Sequence, residues 1–260
     1  MSIKLIALDM DGTSVTPDKN APHLEFITKP VLQAIQEAQR KGIIVIFATG
    51  RWFNAVKHHF PITNFTGPQI FCNGAVICDP DGRILSKTAI PENDYKDLMN
   101  SMLMRDMTVG VCDEYSMARR VVGENIMGFH RWFDERENLL DTPFAAKITA
   151  LEGGDWLADL IAGQFPHLQT AGHKDRYMEI WSRAISKGIA LNLVAEYYGF
   201  GMDEVLAIGD GDNDYDMLER AGIGIAMGQA DDTVKACADD IAPSLEHDGV
   251  AWAIEKYALK

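Results

Sequence analysis

Three apolar runs that break off into small, hydroxyl or acidic residues restrict the fold of this chain more than any other feature. Ile3-Lys4-Leu5-Ile6-Ala7-Leu8 ends in Asp9-Met10-Asp11-Gly12-Thr13. Ile43-Ile44-Val45-Ile46-Phe47-Ala48 ends in Thr49-Gly50-Arg51, and Val205-Leu206-Ala207-Ile208 ends in Gly209-Asp210-Gly211-Asp212-Asn213-Asp214. Short β-branched runs with a turn signal behind them read as buried strands. Between the first two, residues 29 to 41 read as a helix. Pro30 suits its first turn, Val31, Ile35 and Ala38 share a face, and Gly42 suits its stop. Strand, helix, strand implies a parallel βαβ unit. The end of the chain repeats this logic: a helix carrying Ile189 and Leu193 that stops at Gly199, a strand to Gly209, a short helix to Ala221, a strand over 223–227, a helix over 232–238, a short strand near Ile241 and a last helix from about Asp248.

The middle differs. Asp79-Pro80-Asp81-Gly82-Arg83 is a turn signal between short strand-like runs at 76–78 and 84–85. A methionine-rich helix over 94–104 follows, then strand candidates at 108–112, 119–122, 147–151 and 177–181, with a helix near 156–162. Strands outnumber parallel units here. The expectation is an α/β fold: a Rossmann-like parallel sheet core with helices on both faces, built from 1–81 and 182–260, plus an inserted α+β cap over 82–181.

Two carboxylates two residues apart at a strand end would face the crevice where open α/β sheets bind ligands, and Gly12 lets the backbone turn beside them. Carboxylates for a divalent cation, a hydroxyl and backbone N–H groups for phosphate oxygens, and one separate cation, Lys187, make a kit for a phosphoryl group. The plain alternatives are a strand end at Thr49-Gly50, a solvated helix residue at Lys187 and a helix N-cap at Asp214. The run Asp210, Asp212, Asp214, Asp216 invites a calcium-loop reading. That loop needs Gly sixth and Glu twelfth, where this chain has Tyr215 and Ala221, so the reading fails.

In this order, the four segments resemble the motifs of the haloacid-dehalogenase superfamily of phosphohydrolases, and its Cof-type branch in particular. The motifs fall at Asp9, Asp11, Gly12 and Thr13; at Thr49; at Lys187-Gly188; and at Gly209, Asp210, Asn213 and Asp214. Phe71-Cys72-Asn73-Gly74-Ala75 is similar to the branch's Asn-Gly-Ala segment, and 221–228 to its late glycine-rich strand. The sequence departs from the pattern at Ser14, which stands for an apolar residue, at Gln229, which stands for Asn, and at Trp181-Ser182-Arg183-Ala184, which replaces a stretch that often contains glycine.

The resemblance implies a phosphatase for small phosphate monoesters, sugar phosphates first, working through an aspartyl-phosphate. Asp9 is the expected nucleophile and Asp11 the acid and base. Mg2+ is the expected cofactor, held by the Asp9 and Asp210 carboxylates and the Asp11 carbonyl, with Asp214 behind them. Thr49, Gly50, Lys187 and Asn213 are expected to hold the phosphoryl oxygens, Lys187 also stabilising transferred charge. A phosphomutase and a non-catalytic sensor of a phosphorylated metabolite are the competing functions. His58, His59, Asp212 and Asp216 are read as structural or solvated, and Met99, Met102, Met104 and Met107 as packing. The cluster His130, Arg131, Trp132, Phe133 is read as a packed helix end ahead of a substrate contact.

Composition sets the remaining bounds. A net charge of -14 over 260 residues argues against nonspecific nucleic-acid binding, so attraction for an anionic substrate must be local. The four cysteines form no CxxC pair and are expected reduced and mostly buried. Asp9 and Asp11 interrupt the only early apolar run, and no run approaches a membrane span. The expectation is a cytoplasmic monomer or small homo-oligomer whose partner is a small phosphorylated metabolite, with no nucleic acid and no membrane.

Overall fold

A computed structural model describes residues 2–17, 25–120, 133–135, 139–151, 153–172 and 177–260. The chain begins with strand β1 (Leu5–Leu8), fully buried as its apolar run demands, and a two-strand ribbon, β2 (Thr16–Pro17) and β3 (Glu25–Phe26). Helix α1 (Lys29–Arg40) carries Pro30 in its first turn and buries Val31, Ala34, Ile35 and Ala38. Strand β4 (Ile44–Phe47) then pairs parallel to β1, Leu8 beside Phe47. Short helices α2 (Phe53–Val56) and α3 (Phe60–Thr63) lead into the antiparallel strands β5 (Gln69–Phe71), β6 (Val76–Cys78) and β7 (Ile84–Lys87). A parallel bridge from Ala48 to Ile70 sets β5 next to β4.

Helix α4 (Glu92–Leu103) buries Tyr95, Leu98, Met99 and Met102, one stripe at helical spacing. Met107 joins that packing, but Met104 points outward and is 87% exposed, so it is not the packing residue the sequence suggested. Position 104 follows the last helical residue, off the stripe that Met99 and Met102 occupy. Strands β8 (Val109–Cys112), β9 (Met117–Arg120), β10 (Phe133–Glu135) and β11 (Lys147–Ala150), helix α5 (Gly154–Gln164), and strands β12 (Leu168–Ala171) and β13 (Met178–Ser182) come next. They form one six-stranded sheet in the order β10-β9-β8-β11-β13-β12. One of its faces has its own apolar cluster, including Val109, Val111, Ile148, Ala150, Met178 and Ile180 under α4 and α5. His130, Arg131 and Trp132 lie outside the described residues, as do positions 121 and 122 of the strand candidate at 119–122.

Helix α6 (Lys187–Tyr198) starts at Ser186, whose Oγ accepts a hydrogen bond from the Ile189 N–H at 3.0 Å. It stops at Gly199, in the left-handed region at φ 71°. Strand β14 (Val205–Gly209), helix α7 (Tyr215–Arg220), strand β15 (Ile223–Ala226), helix α8 (Asp232–Cys237), strand β16 (Asp240–Ile241) and helix α9 (Gly249–Tyr257) complete the chain. The main sheet has the order β16-β15-β14-β1-β4, every pair parallel. Successive strands move outward in opposite directions from the β14–β1 pair. Right-handed crossovers therefore place α1, packed on α9, on one face and α6, packed on α7, on the other. The direction reverses between β1 and β14, so a crevice opens at their carboxyl ends, where such sheets bind ligands. The four cysteines are free thiols, Cys72, Cys78 and Cys112 buried and Cys237 partly so. Among the described residues no helix is long and apolar enough to cross a membrane.

Candidate active site

The parallel register puts the ends of three strands side by side. Leu8 lies beside Phe47 on one flank and Ile208 on the other, so Thr49, Asp9 and Asp210 all emerge at the same edge. The backbone continues the ladder, with the Asp9 N–H donating to Ile208 O at 2.9 Å and the Ala48 N–H to Leu8 O at 2.8 Å.

Lys187 reaches this edge from the opposite direction. It is the first residue of α6 and lies on that helix's buried stripe with Ala190, Leu191 and Val194. Its ammonium, fully buried, donates to Asp9 Oδ1 and to Asp214 Oδ1, each at 2.6 Å. Burial works against the Lys187 charge, but Asp214 and Asp9 more than offset it, and its pKa is raised. Asp214 is also fully buried, and its second oxygen accepts from the Asp210 and Gly211 N–H groups, both at 3.0 Å. It stands at the N-cap position of α7 but makes no side-chain capping bond to that helix; it ties the β14 loop to Lys187.

Asp210 is placed by three neighbours. Thr13 Oγ1 donates to its Oδ1 at 2.8 Å, and Gln229 Nε2 lies 3.5 Å from its Oδ2. Gly12 makes the close approach possible: at φ 82° it sits where L side chains are strained, and a Cβ there would lie 2.3 Å from Asp210 Oδ2. Gln229, one of the departures from the family pattern, also donates to Gly12 O and accepts from the Leu245 N–H at 3.0 Å, pinning the same turn. Ser14, another departure, donates its hydroxyl to Asp9 O. Both departures serve the loop's shape.

Carboxylate oxygens of Asp9, Asp210 and Asp214 lie within 4.8 Å of one another. Burial and then the Asp214 charge push the Asp9 carboxyl well above the usual carboxylate range. Burial and Asp214 likewise push Asp210 up to about 6. Three carboxylates facing one ammonium are short of positive charge, the electrostatic condition a divalent cation relieves. Both oxygens of Asp214 are already engaged. The oxygens left over belong to Asp9, whose Oδ1 alone holds Lys187, and to Asp210, which fits an oxygen-liganded cation held by those two.

Asp11 points the other way. Its side chain is 61% exposed, and Arg51 grips both its oxygens, Nε to Oδ2 at 2.8 Å and Nη2 to Oδ1. Arg51 also holds Glu25 on β3, with Nη2 to Oε2 at 2.7 Å, and Glu25 Oε1 lies 3.0 Å from His59 Nε2. Burial raises the Glu25 carboxyl, but hydrogen bonds from His59 and Arg51 outweigh it and hold it at about 2. Glu25, His58 and His59 form a second group with ligand atoms within 4.8 Å. Glu25 is committed to Arg51 there, which fits the structural reading of both histidines.

Thr49 is fully buried; its Oγ1 accepts the Arg51 N–H at 3.1 Å, leaving the hydroxyl hydrogen to donate. Asn213 Nδ2 donates to Asn73 Oδ1 at 2.9 Å, and Asn73 Nδ2 to Glu179 Oε2 at 2.8 Å. Asp216, expected to be solvated, instead accepts from Ser186 and Arg220. The sequence placed Thr13 and Asn73 in motifs without assigning either a role, and it left out Glu179 and Lys147 altogether. Glu179 and Lys147 find partners remote in the chain, and neither stands in a motif.

A family model described as haloacid dehalogenase-like hydrolase matches residues 6–254, almost the whole chain. The chain belongs to that family. It is 28% identical over 259 residues to the 5-amino-6-(5-phospho-D-ribitylamino)uracil phosphatase YcsE of Bacillus subtilis, covering 100% of this chain and 97% of that one. It is 30% identical over 268 residues to the B. subtilis phosphatase YitU, which carries the same activity name, covering 97% of each. Among solved structures, the haloalkanoate-superfamily phosphatase BT1666 of Bacteroides thetaiotaomicron superposes with a TM-score of 0.85 at 23% identity, covering 98% of this chain and 95% of that one. The chain is a phosphoric monoester hydrolase of the Cof type.

Proposed function

We propose that this phosphatase is Mg2+-dependent and hydrolyses polyol and sugar phosphates through a phosphorylated Asp9. The observation that carries the reading is the Asp9 carboxylate at the end of β1, held at 2.6 Å by a fully buried Lys187 beside Asp210. A carboxylate so placed can attack phosphorus only if the phosphate's negative charge is offset. A bound Mg2+ would supply Lewis-acid charge neutralisation there. The Asp9 and Asp210 carboxylates and the Asp11 carbonyl would hold it, with Asp214 behind them.

Each remaining residue has a role in this reading. An Asp9 carboxylate oxygen forms a bond to phosphorus as the bond from phosphorus to the ester oxygen breaks. Asp11, exposed at the mouth, delivers a proton to that oxygen and later takes one from the attacking water. Arg51 holds Asp11 turned outward, so the acid role requires Asp11 to leave that pairing. Lys187, the Thr49 hydroxyl, the Gly50 backbone and Asn213 hold the non-bridging oxygens. Losing one such donor costs roughly 3–4 kcal/mol of barrier.

Two further statements belong to this reading. Residues 82–181 act as a cap that limits access to small substrates, and the protein works in the cytoplasm, consistent with its four free thiols. A phosphorylated ribityl chain, named for both B. subtilis relatives, is a polyol phosphate and belongs in the substrate class. The test is a phosphate-release screen over hexose, pentose and ribityl phosphates, pyridoxal phosphate and flavin mononucleotide, with and without Mg2+. The reading predicts metal-dependent release that Asp9→Asn abolishes. Release that survives either chelation or Asp9→Asn refutes it, and isomerised ester without free phosphate would indicate a mutase.

A further inference from the structure

Strand alternation gives the second sheet two different faces. Val109, Val111, Ile148, Ala150, Met178 and Ile180 point into that sheet's own apolar cluster. Lys147 and Glu179 therefore point to the other face, together with Cys112 and Trp181, which pack into the main core. Lys147 is 2% exposed. Its ammonium donates to the backbone carbonyl of Gly50 at 2.7 Å and to Glu179 Oε1. Burial works against that charge, but Glu179 outweighs it and the Lys147 pKa is raised.

The other Glu179 oxygen takes the Asn73 amide at 2.8 Å, and Asn73 Oδ1 takes Asn213 at 2.9 Å. The Asn73 backbone N–H also donates to Thr49 O at 3.1 Å, and Cys72 N–H to Arg51 O at 2.9 Å. Gly50 leaves room for this arrangement: a Cβ there would stand 2.9 Å from Asn73 Oδ1 and 3.1 Å from Glu179 Oε2. Asn73 sits at φ 58°, a region that Asn tolerates better than most residues.

We propose that Lys147 and Glu179 are positioning residues for phosphoryl transfer: a neutral pair on the second sheet that fixes the Thr49–Gly50 turn directly and Asn213 through Asn73. The proposal rests on the reading of Thr49, Gly50 and Asn213 as holders of the phosphoryl group. Neutrality is part of it. An unpaired Glu179 would set a carboxylate against the incoming anion, and an unpaired Lys147 would leave a buried charge without a partner.

The two Glu179 oxygens both accept, so Glu179→Gln must turn an N–H donor toward either Lys147 or Asn73, breaking one link at nearly constant volume. Lys147→Met breaks the other end. Steady-state kinetics would be measured with p-nitrophenyl phosphate and a hexose phosphate, with melting curves for each variant. Both substitutions should lower kcat about 10- to 100-fold, as supporting residues around catalytic groups do, by the same factor for both esters and with KM little changed. Lys147→Met combined with Asn213→Ala should lose less than the product of the single losses, because both act on one unit. If Lys147→Met does not fold, Glu179→Gln decides.

A folded Glu179→Gln enzyme with unimpaired kcat, losses that multiply, or a loss confined to KM for the hexose ester would overturn the proposal. With wild type active and Asp9→Asn dead, that result would leave the proposed function standing. A wild type that released phosphate from neither ester would remove both.

Discussion

Lys187→Met removes the one ammonium that Asp9 and Asp214 share and leaves a side chain of similar length in its place. Asp9 is 5% exposed and Asp214 not at all, so neither carboxylate can turn to water for compensation. Breaking a buried pair by deleting one partner costs about 3–5 kcal/mol. For a chain near this length that lowers Tm by about 6–20 °C. The loss has a sign in pH. Without Lys187 one of the two carboxylates is driven to bind a proton, which the unfolded chain does not do near neutrality. Destabilisation should therefore grow from pH 6 to pH 8, and Asp214→Asn in the same molecule should relieve part of it. Activity should fall about 10²- to 10³-fold in kcat, the loss expected for one donor to transferred charge. Calorimetry at several pH values in chelator, with phosphate release measured alongside, reads both effects. A Tm within about 2 °C of wild type and flat with pH would refute the claim that Lys187 neutralises this cluster.

Gly12→Ala should impair metal binding and turnover more than folding: φ 82° costs an alanine about 1–2 kcal/mol, but its Cβ would also displace Asp210, so metal titration by calorimetry should weaken at least tenfold while Tm falls only a few degrees. Glu25 titrates near 2 in place of its ordinary 4.5, so its pairing with Arg51 and His59 stabilises the fold fully above about pH 4.5 and is lost as pH falls through 2. Glu25→Gln should accordingly melt lower than wild type at pH 6, with the difference closing as acid titration proceeds below pH 4.5; a difference that persists unchanged at the acid end would contradict the pairing.

The parts of this molecule that were legible in sequence share a physical reason. Asp9, Thr49 and Asp210 each follow a buried strand, and a parallel sheet aligns strand ends, so apolar runs and their terminators disclosed both the sheet and its crevice. Lys187 was legible through the helical pattern that follows it and through Gly199, which stops that helix. What escaped depends on side chains meeting across long separations. Thr13 finds Asp210 only once β1 and β14 are paired, and Arg51 finds Glu25 only once β3 and β4 are in place. Lys147 within Lys-Ile-Thr-Ala reads as the solvent side of an alternating strand, and only the docking of the second sheet on Gly50 turns it inward. Strand β12 was missed because Leu168 is its only buried residue and leaves no alternation to read.

The most direct measurement of the central claim is the fate of the phosphoryl group in a single turnover. Enzyme carrying Asp11→Ala, which lacks the base for the second step, would be mixed with Mg2+ and p-nitrophenyl phosphate, whose leaving group needs no proton in the first step, then quenched in acid and digested for mass spectrometry. The account predicts one acid-stable, hydroxylamine-labile phosphoryl group on the peptide containing Asp9, absent when Asp9→Asn is added. A phosphoryl group found on any other residue, or phosphate released at an undiminished rate with no enzyme ever labelled, would contradict it.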